Sequence, residues 1–520
     1  MTRLRRLLDR HATALTLAVI VILWEIAGRF QLVASGALPA PSDVLIRMWE
    51  DQADYWPHVA ATVRTAFLGF VGGNVIAILA AILFVRWPLT ERLSRGVNIA
   101  IFALPPIAIV PVLVLALPGE WPRLTLAAIA VYFPTMTAMV VGLTEVDPRS
   151  VELMRAYGGG EGAVMRWVRL RASLPALLGG LRVAAPNAVL GAILAEFGSG
   201  SRWGLGTYLL GSLGRADPAR LWGIGLAATA IAGLAYALAA LAASRVTDAS
   251  RAVTIAAGAT PASEPIGRSG GHRVAIAVVA LVLPFAIWWG LLALSGLSPI
   301  IAKTPLGVFD YLFLPPTAAN AQARLLSALA ETLPIMVVGM AAGLGFAFLL
   351  AVAGAVRPGI VRALMPIALV TQTMPLVALT PLLVLIFGRG VAVTVAITVS
   401  VTFFPAYVTL AQGLSMVPKA AFDLVRAYGA SGWRALRMVA LPASLPWLFA
   451  AARLAVPRAL LGVMIAEWLA TGRGLGNLLN QSRGYLDYGM IWTVALVSVL
   501  VSVILYQLAV GLERLATARR

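Results

Sequence analysis

Few side chains in this 520-residue sequence are of types that could carry out chemistry. The chain has no cysteine, which excludes disulfides, iron–sulfur clusters and thiolate zinc sites. Its three histidines, His11, His58 and His272, are far apart in the chain, so a histidine metal site is not expected. A Walker A phosphate loop needs Gly-Lys-Ser/Thr, and the one Lys-Thr pair, at Lys303, follows an alanine. The sequence therefore predicts a protein that is not an enzyme, with no catalytic residues, no metal and no ATP site of its own.

The most polar and basic stretch of the chain occurs twice. One copy occupies residues 147–175 and the other residues 417–446. Each carries an acid, then Arg-Ala-Tyr-Gly, and closes on Ala-Ser-Leu-Pro. An interfacial hairpin that only sets membrane orientation would explain one copy, but two copies with the same order favour an element that docks a partner. The residues expected to make that contact are Glu152, Arg155, Ala156, Tyr157, Gly158 and Gly159 in the first copy and Asp423, Arg426, Ala427, Tyr428, Gly429 and Ala430 in the second.

Proline and glycine punctuate both copies in the same way. Pro148 and Pro418 are expected to start a helix, since proline is tolerated in the first helical turn. Gly158 and Gly429 are expected to end that helix. A second, basic and amphipathic helix should follow and end at the Leu-Pro pair that leads back into the membrane. The predicted element is a helix–glycine–helix loop.

The composition places both copies in a membrane protein. The chain is 60% hydrophobic and 12% charged, with a mean hydropathy of +0.89, and a soluble chain of this length could not cover so much apolar surface. The net charge of +18 is spread over short segments with no nucleic-acid motif, so nucleic-acid binding is not expected. We predict an all-α polytopic fold of about twelve transmembrane helices, near residues 13–31, 61–85, 97–117, 122–143, 177–197, 220–243, 274–295, 332–356, 361–387, 391–412, 448–470 and 490–512.

The distribution of basic residues predicts the orientation of these spans. With the N-terminus inside, most of the 40 Lys and Arg residues fall in cytoplasmic segments and far fewer in outward segments. Because cytoplasmic loops carry an excess of Lys and Arg, this asymmetry favours both termini inside. Both repeated stretches are then cytoplasmic, in a multi-pass protein of a bacterial inner (plasma) membrane.

The chain consists of two halves that match at an offset of 270 or 271 residues. Six spans is an even number, so the halves have the same orientation and form two parallel six-helix repeats. The predicted units are residues 1–243 and 274–520, joined by a cytoplasmic linker at 244–273 that is rich in Ala, Gly, Ser and Pro. Landmarks that match are Thr62 with Thr332, Glu196 with Glu467, and Gly204-Leu205-Gly206 with Gly474-Leu475-Gly476.

Prolines and acids inside the spans form a second group of candidates. The prolines at 105, 106 and 375 are expected to kink spans three and nine, either for packing or to open the backbone toward a cavity. The acids at 196 and 467 lie near the outer ends of spans five and eleven, where they either form a helix-end salt bridge or hydrogen bond or belong to an outer gate. The pathway or gate candidates are Pro105, Pro106, Glu196, Met374, Pro375 and Glu467.

The acid, the glycine six residues later and the following Leu-Pro resemble the EAA loop of binding-protein-dependent ABC importer permeases. Glu152-Leu-Met and Asp423-Leu-Val stand at the Glu-Ala-Ala of that motif, and Gly158 and Gly429 stand at its glycine. The second copy departs from it by Asp for Glu. The segment 38–44 and the later Ala-Glu and Gly-Leu-Gly elements are similar to the nitrate, sulfonate, taurine and thiamine-precursor branch. The resemblance covers both halves.

The resemblance implies a type I importer in which two permease units are fused in one chain. In that family each EAA loop inserts into a cleft of a cytoplasmic ATPase subunit, of which there are two copies, and ATP and Mg bind to those subunits. An extracytoplasmic binding protein delivers the solute. The alternative is a twelve-helix secondary transporter driven by an ion gradient, which the parallel repeat fits equally well. A secondary transporter is expected to need ion-coupling acids within its spans, and this chain offers few beyond Glu25, Glu196 and Glu467. The alternative also leaves the repeated loop unexplained.

Overall fold

A computed structural model describes residues 18–33, 36–215, 217–246, 270–356 and 374–517, together with 359, 361 and 364. Within those ranges the chain forms helices and connecting segments and no β-strand. Helices satisfy every backbone hydrogen bond within one segment, which is the requirement of a lipid environment. The predicted all-α polytopic class is confirmed.

The first half contains twelve α-helical segments and their connections. In chain order they are α1 (18–29), α2 (Pro41–Glu50), α3 (Gln52–Arg86), α4 (Pro88–Ala103), α5 (Pro106–Ala116), α6 (Trp121–Thr144), α7 (Pro148–Ala156), α8 (Glu161–Ala163), α9 (Leu170–Ala172), α10 (Leu174–Ser199), α11 (Leu205–Ser212) and α12 (Pro218–Val246). A π-helical segment, Val164–Arg169, joins α8 to α9.

The second half repeats this order over the part that the structure describes. Its helices are α13 (Gly270–Ser295), α14 (Pro305–Phe313), α15 (Ala318–Val356), α16 (Leu376–Phe387), α17 (Val391–Ser415), α18 (Lys419–Ala427), α19 (Gly432–Ala435), α20 (Leu441–Ala466), α21 (Gly474–Gly484) and α22 (Tyr488–Thr517). π-Helical segments at Leu436–Ala440 and Glu467–Thr471 precede and follow α20. The predicted linker lies largely outside the described residues, at 247–269.

The apolar helices lie where the hydropathy predicts spans. In the described part of the chain, nine helices are long and apolar enough to cross a membrane, and the bent pair α4 and α5 raises the number to ten. The first and ninth predicted spans are represented by α1 and by the short α16, and the rest of each lies outside the described residues.

The third predicted span is broken rather than kinked. Its two pieces, α4 and α5, meet at an angle of 105°. Leu104 and Pro105 have extended backbone angles, with ψ of 119° and 114°. Each of them precedes a proline, and the proline ring clashes with a preceding residue in the α conformation. Two consecutive prolines therefore end one helix and start the next.

Small residues position the spans of each half against one another. Gly69 and Gly73, one turn apart on α3, face Ala127 and Ala128 of α6. A Cβ on Gly69 would collide with the Ala127 Cβ, and one on Gly73 would lie 2.6 Å from the Ala128 carbonyl oxygen. Glycine and alanine let membrane helices approach closely, because lipid provides no hydrophobic force between helices and packing must drive association.

The two halves contact each other where helices of one half pack directly against helices of the other. Helix α13, which begins the second half, crosses α4 of the first half so closely that a Cβ on Gly96 would collide with the Ala280 carbonyl oxygen. On another face, the Met374 side chain packs against Gly225 of α12. The largest buried apolar cluster includes side chains of both halves. The halves therefore share one core.

Candidate docking loops and buried carboxylate clusters

The first repeated loop begins with a capped helix. The Asp147 carboxylate accepts a hydrogen bond of 3.0 Å from the Arg149 N–H, and Pro148 occupies the first turn of α7. The helix ends at Gly158, whose φ of +81° is in the left-handed region that favours glycine. The Gly158 N–H donates to the Arg155 carbonyl at 2.9 Å, and the Gly159 N–H donates to the Met154 carbonyl at the same distance. The predicted start and glycine stop are confirmed.

The second repeated loop has the same backbone geometry. Helix α18 ends at Gly429, which has a φ of +80°. The Gly429 N–H donates to the Arg426 carbonyl at 2.8 Å, and the Ala430 N–H donates to the Val425 carbonyl at 3.0 Å. The two loops therefore present one conformation at corresponding positions of the repeat.

Both loops project large side chains into solvent. Tyr157 is 84% exposed and Tyr428 is 87% exposed, and each directly precedes the glycine that ends its helix. Leu153 and Leu424, one turn earlier, are also exposed. The other predicted contact residues at 152, 155, 156, 158, 423, 426, 427 and 429 are exposed, whereas Gly159 and Ala430 are half-buried. An exposed apolar patch on a polar loop is typical of an interaction site.

The prediction that the second loop helix ends at the Leu-Pro pair is wrong for the second copy, whereas in the first copy the helix ends at Ala172, just before Leu174-Pro175. In the first copy only Ser173 separates the π-helical segment and α9 from α10, and Pro175 falls in the first turn of α10. In the second copy the helix runs from Gly432 to Thr471 with π-helical turns and both Pro442 and Pro446 inside it. Pro175 and Pro442 lie in the first turn of α10 and α20, where proline loses no intrahelical bond, whereas Pro446 lies inside α20. Each loop is therefore continuous with the span that follows.

The two loops differ in the side chains around this shared backbone. In the first copy the guanidinium groups of Arg166 and Arg171 each lie over the Trp167 ring, at 5.2 and 4.8 Å from the ring centre. In the second copy Met438 and Pro442 stand at the positions of Trp167 and Arg171. Trp167 and Arg171 line a cavity of about 710 Å³ under α7, together with Asp147, Ser150, Met154 and Tyr157.

An ion pair is also confined to the first loop. Arg155 contacts Glu161 across the glycine turn, and the Arg155 guanidinium holds the pKa of that carboxyl below its usual range by a side-chain hydrogen bond. At the corresponding position of the second loop stands Gly432, which has no side chain to pair with Arg426. The first loop therefore has an ion pair across its glycine turn that the second loop cannot form.

Glu196 is at the centre of a buried cluster near the C-terminal end of α10. Its Oε2 accepts hydrogen bonds from Thr62 Oγ1 at 2.9 Å and from the Gly206 N–H at 3.1 Å. Thr62 Oγ1 in turn accepts from the Leu205 N–H at 2.9 Å. The other carboxyl oxygen, Oε1, is buried without a partner among the described residues. The cluster joins α3, α10 and the start of α11.

The second half contains the same cluster. Thr332 Oγ1 donates to Glu467 Oε1 at 2.7 Å, the Gly476 N–H donates to Oε2 at 2.9 Å, and the Leu475 N–H donates to Thr332 at 2.9 Å. A Cβ on Gly474, which has a φ of +81°, would collide with a Glu467 carboxyl oxygen. The structure thus brings together the threonine, the acid and the Gly-Leu-Gly of each half, which the sequence offered as separate landmarks. A gate role for either acid stays a prediction.

The remaining pathway candidates lie at helix breaks. Pro105 and Pro106 form the break between α4 and α5, and Pro375 precedes α16. Met374 is buried against Gly225, at a contact between the halves. The structure gives these residues a place at the junction of the halves, and their role in a pathway stays a prediction.

Sequence reasoning missed two tryptophans, one in each half, that hydrogen-bond to a distant backbone carbonyl. Trp222 donates its indole N–H to the Ala37 carbonyl at 3.2 Å, and Trp492 donates to the Ile301 carbonyl at 2.9 Å. Trp24 packs on Trp222 with ring centres 5.1 Å apart. The 270-residue offset relates Trp222 to Trp492, so the repeat itself was a signal that could have identified them.

A buried ion pair, also missed, belongs to the first half alone. Arg220 donates to both oxygens of Asp51, from Nε at 2.6 Å and from a terminal nitrogen at 2.5 Å, and both side chains are buried. The 270-residue offset places Ala321 and Met490 at the corresponding positions, and both are buried and apolar. The two halves therefore share the order of their helices here but not this polar contact.

The chain matches known proteins over both halves. Residues 73–253 and 343–518 match the family of binding-protein-dependent transport system inner membrane components. These stretches cover more than half of the chain, so it belongs to that family. Two separate matches agree with a chain in which two permease units are fused, and they confirm the resemblance to ABC importer permeases that the sequence motifs indicate.

Individual relatives match shorter stretches. The riboflavin transport system permease protein RibX of Chloroflexus aurantiacus is 34% identical over 154 residues, which are 30% of this chain and 58% of that protein. The formylaminopyrimidine transport permease protein ThiX of Halalkalibacterium halodurans is 31% identical over 176 residues, 33% of this chain and 70% of that protein. The taurine transport system permease protein TauC of Escherichia coli is 25% identical over 248 residues, 47% of this chain and 88% of that protein.

Proposed function

We propose that this chain is the transmembrane permease subunit of an ATP-driven importer and that solute crosses the membrane between its two halves. The observation that carries the proposal is the pair of loops with one backbone conformation, each with an exposed tyrosine next to a glycine of positive φ. Two equivalent exposed loops in one chain suit two equivalent partner subunits. Membership of the permease family supports the same conclusion.

The partners in this proposal are two copies of a cytoplasmic ABC ATPase. Each copy docks on one loop, at 147–175 or 417–446, through the predicted contact residues. ATP and Mg bind to the ATPase, since this chain has no Walker A sequence. Closure of the ATPase pair on ATP moves the two loops, and the continuity of each loop with the following span carries that movement to α10 and α20.

On the outer side we propose an extracytoplasmic solute-binding protein as the second partner. The chain is a multi-pass protein of a bacterial inner membrane with both termini in the cytoplasm. The relatives are named for riboflavin, formylaminopyrimidine and taurine transport, and we propose a small organic molecule as solute here also. The glutamate clusters at the outer ends of α10 and α20 are the candidate outer gate.

The loops are tested by single substitutions and recovery of the ATPase with the tagged chain. Gly158→Val and Gly429→Val should each reduce the amount of ATPase retained, because a β-branched residue at a φ near +80° would change the end of the helix. Gly162→Val is the matched control, since Gly162 is in the same loop, has no positive φ, and has open space where a side chain would begin. Equal ATPase retention by Gly158→Val and Gly162→Val would count against docking at this turn.

The ion-gradient alternative is separated by an uptake assay. Vesicles that hold the chain and its partners are depleted of ATP but keep a membrane potential and a pH gradient. The importer proposal expects uptake to stop. Uptake that continues at its former rate, from a chain that retains no ATPase, would establish the secondary transporter instead.

A further inference from the structure

A cavity of about 990 Å³ lies between the two halves. Its walls come from α4 and α5 of the first half and from α13 and α22 of the second. The lining is almost entirely apolar, with side chains such as Ile99, Val112, Leu281 and Val499. Its volume is at the upper end of the range for small-molecule sites, roughly 300–1,000 Å³. An occupant would touch both halves and would have to be large and apolar.

The lining of the cavity is about as long as the hydrocarbon core of a bilayer is thick. On α13 its lining extends from Ile276 to Ser295. At about 1.5 Å per residue this stretch is about 30 Å long, which equals the thickness of the hydrocarbon core of a bilayer, about 30 Å. The lining therefore matches the length and the polarity of lipid acyl chains rather than those of a compact polar solute.

The two ends of the cavity differ in charge. Arg92, Arg95 and Gln507 line the end that the orientation proposed above places at the cytoplasmic surface, and Trp288, Trp492 and Ser295 line the other. Arg95 forms an ion pair with Glu91 at 3.3 Å. Arg92 has no ion-pair partner in the described part of the chain. With Glu91 counted, the inner end keeps a net positive charge, which basic pockets between spans use to bind anionic headgroups.

We propose that this cavity binds one anionic phospholipid, with its phosphate at Arg92 and Arg95 and its acyl chains along the apolar lining. The inner end of the site adjoins the crossing of α4 and α13, where Gly96 contacts Ala280. The lipid is thus a bridging component of the contact between the halves. This inference depends on the cavity and its charges, and it holds whether or not the chain couples to an ATPase.

The test measures phospholipid bound to the full chain by native mass spectrometry, after exchange from nanodiscs of phosphatidylglycerol or of phosphatidylcholine. The wild-type chain should keep one phosphatidylglycerol and should exchange phosphatidylcholine freely. Arg92→Gln should weaken retention of phosphatidylglycerol about tenfold, since a hydrogen bond to a charged group is lost. Ala277→Trp should abolish retention, because Ala277 is an exposed residue that lines the cavity and the indole would fill it.

Arg149→Gln is the matched control, because Arg149 is an exposed cytoplasmic-loop arginine on α7 outside the cavity. It should retain lipid as the wild type does. Equal retention of both lipids by the wild-type chain, or retention unchanged by both Arg92→Gln and Ala277→Trp, would overturn the proposal. A bound species with the mass of a fatty acid or of an uncharged apolar molecule, in place of phospholipid, would also overturn it.

Discussion

Thr62 donates a hydrogen bond of 2.9 Å to Glu196, although the two residues are 134 positions apart, and it accepts one from the Leu205 N–H. Thr332 and Glu467 form the same pair at 2.7 Å in the second half. Each threonine thus links a buried carboxyl group to the backbone at Leu205 in the first half or Leu475 in the second. In each half one buried hydroxyl group therefore joins three helices by two hydrogen bonds.

Replacement of that hydroxyl should destabilise the protein. Thr62→Val, and equally Thr332→Val, leaves a buried N–H and a buried carboxyl oxygen each with one partner fewer, at a cost of about 1–3 kcal/mol. Thermal unfolding in detergent measures this as a lower midpoint. Thr144→Val is the control, because its exposed hydroxyl bonds only to carbonyls of its own helix. Equal shifts for Thr62→Val and Thr144→Val would contradict the importance of the cluster.

Alanine substitutions at two glycines of the second half should distinguish the cost of backbone strain from the cost of a steric clash. Gly472 and Gly474 have φ of +68° and +81°. Gly472→Ala should cost roughly 1–2 kcal/mol, because only the left-handed backbone is strained and nothing lies within 4 Å. Gly474→Ala should cost more, because its Cβ would also collide with the Glu467 carboxyl group. Unfolding midpoints of the two variants decide this, and similar midpoints would show that the carboxyl group can move aside.

The buried Asp51–Arg220 pair should be costly to break on one side only. Asp51→Ala removes the bidentate partner of the buried Arg220 guanidinium, which then keeps only the longer-range attraction of Asp217, and it also removes the ion pair of Asp51 with Arg47, at a total cost of about 3–5 kcal/mol. The double variant Asp51→Ala with Arg220→Met introduces the two residue types that the second half has at these positions, Ala321 and Met490. It should recover much of the loss, because no charge is then left buried. A double variant less stable than Asp51→Ala would mean that the pair is itself strongly stabilising.

The exposed tyrosines of the loops should matter for coupling and not for stability. Tyr157→Ala and Tyr428→Ala should change the free energy of unfolding by less than about 0.5 kcal/mol, as for other exposed residues. Each should lower ATPase retention and uptake if the loops dock as proposed. Tyr485→Ala is the control, since Tyr485 is 81% exposed at the end of α21 and belongs to neither loop. If Tyr485→Ala lowers ATPase retention as much as Tyr157→Ala, the effect is not specific to docking.

The Arg155–Glu161 pair predicts that the first loop titrates differently from the second. Arg155 lowers the pKa of Glu161, so the pair stabilises the loop above the carboxyl group's unfolded pKa and is lost as the pH falls through its lower folded pKa. Limited proteolysis of the first loop should therefore accelerate on acidification. Glu161→Gln should remove that pH dependence, and its persistence in the variant would show that other groups cause it.

Much of this architecture follows from the sequence alone. Long apolar runs can only be membrane helices, because a lipid environment forces each backbone polar group to find its partner within the helix. The offset of about 270 residues revealed the repeat, and proline and glycine marked where α7 and α18 begin and end, because these residues act on the local backbone. These features depend on neighbouring residues, which the sequence presents directly.

Tertiary structure alone decided which distant residues meet. Thr62 is far in the sequence from Glu196 and Leu205, and only the packing of α3 against α10 brings it within hydrogen-bond distance of them. The two pieces that meet at Pro105 form an angle of 105°, which the two prolines alone do not specify, and the second loop helix continues through Pro446 into its span. The sequence determined the local helices and their repetition. The contacts between them, including the cavity between the halves, arise from side chains far apart in the chain, whose spacing no local pattern encodes.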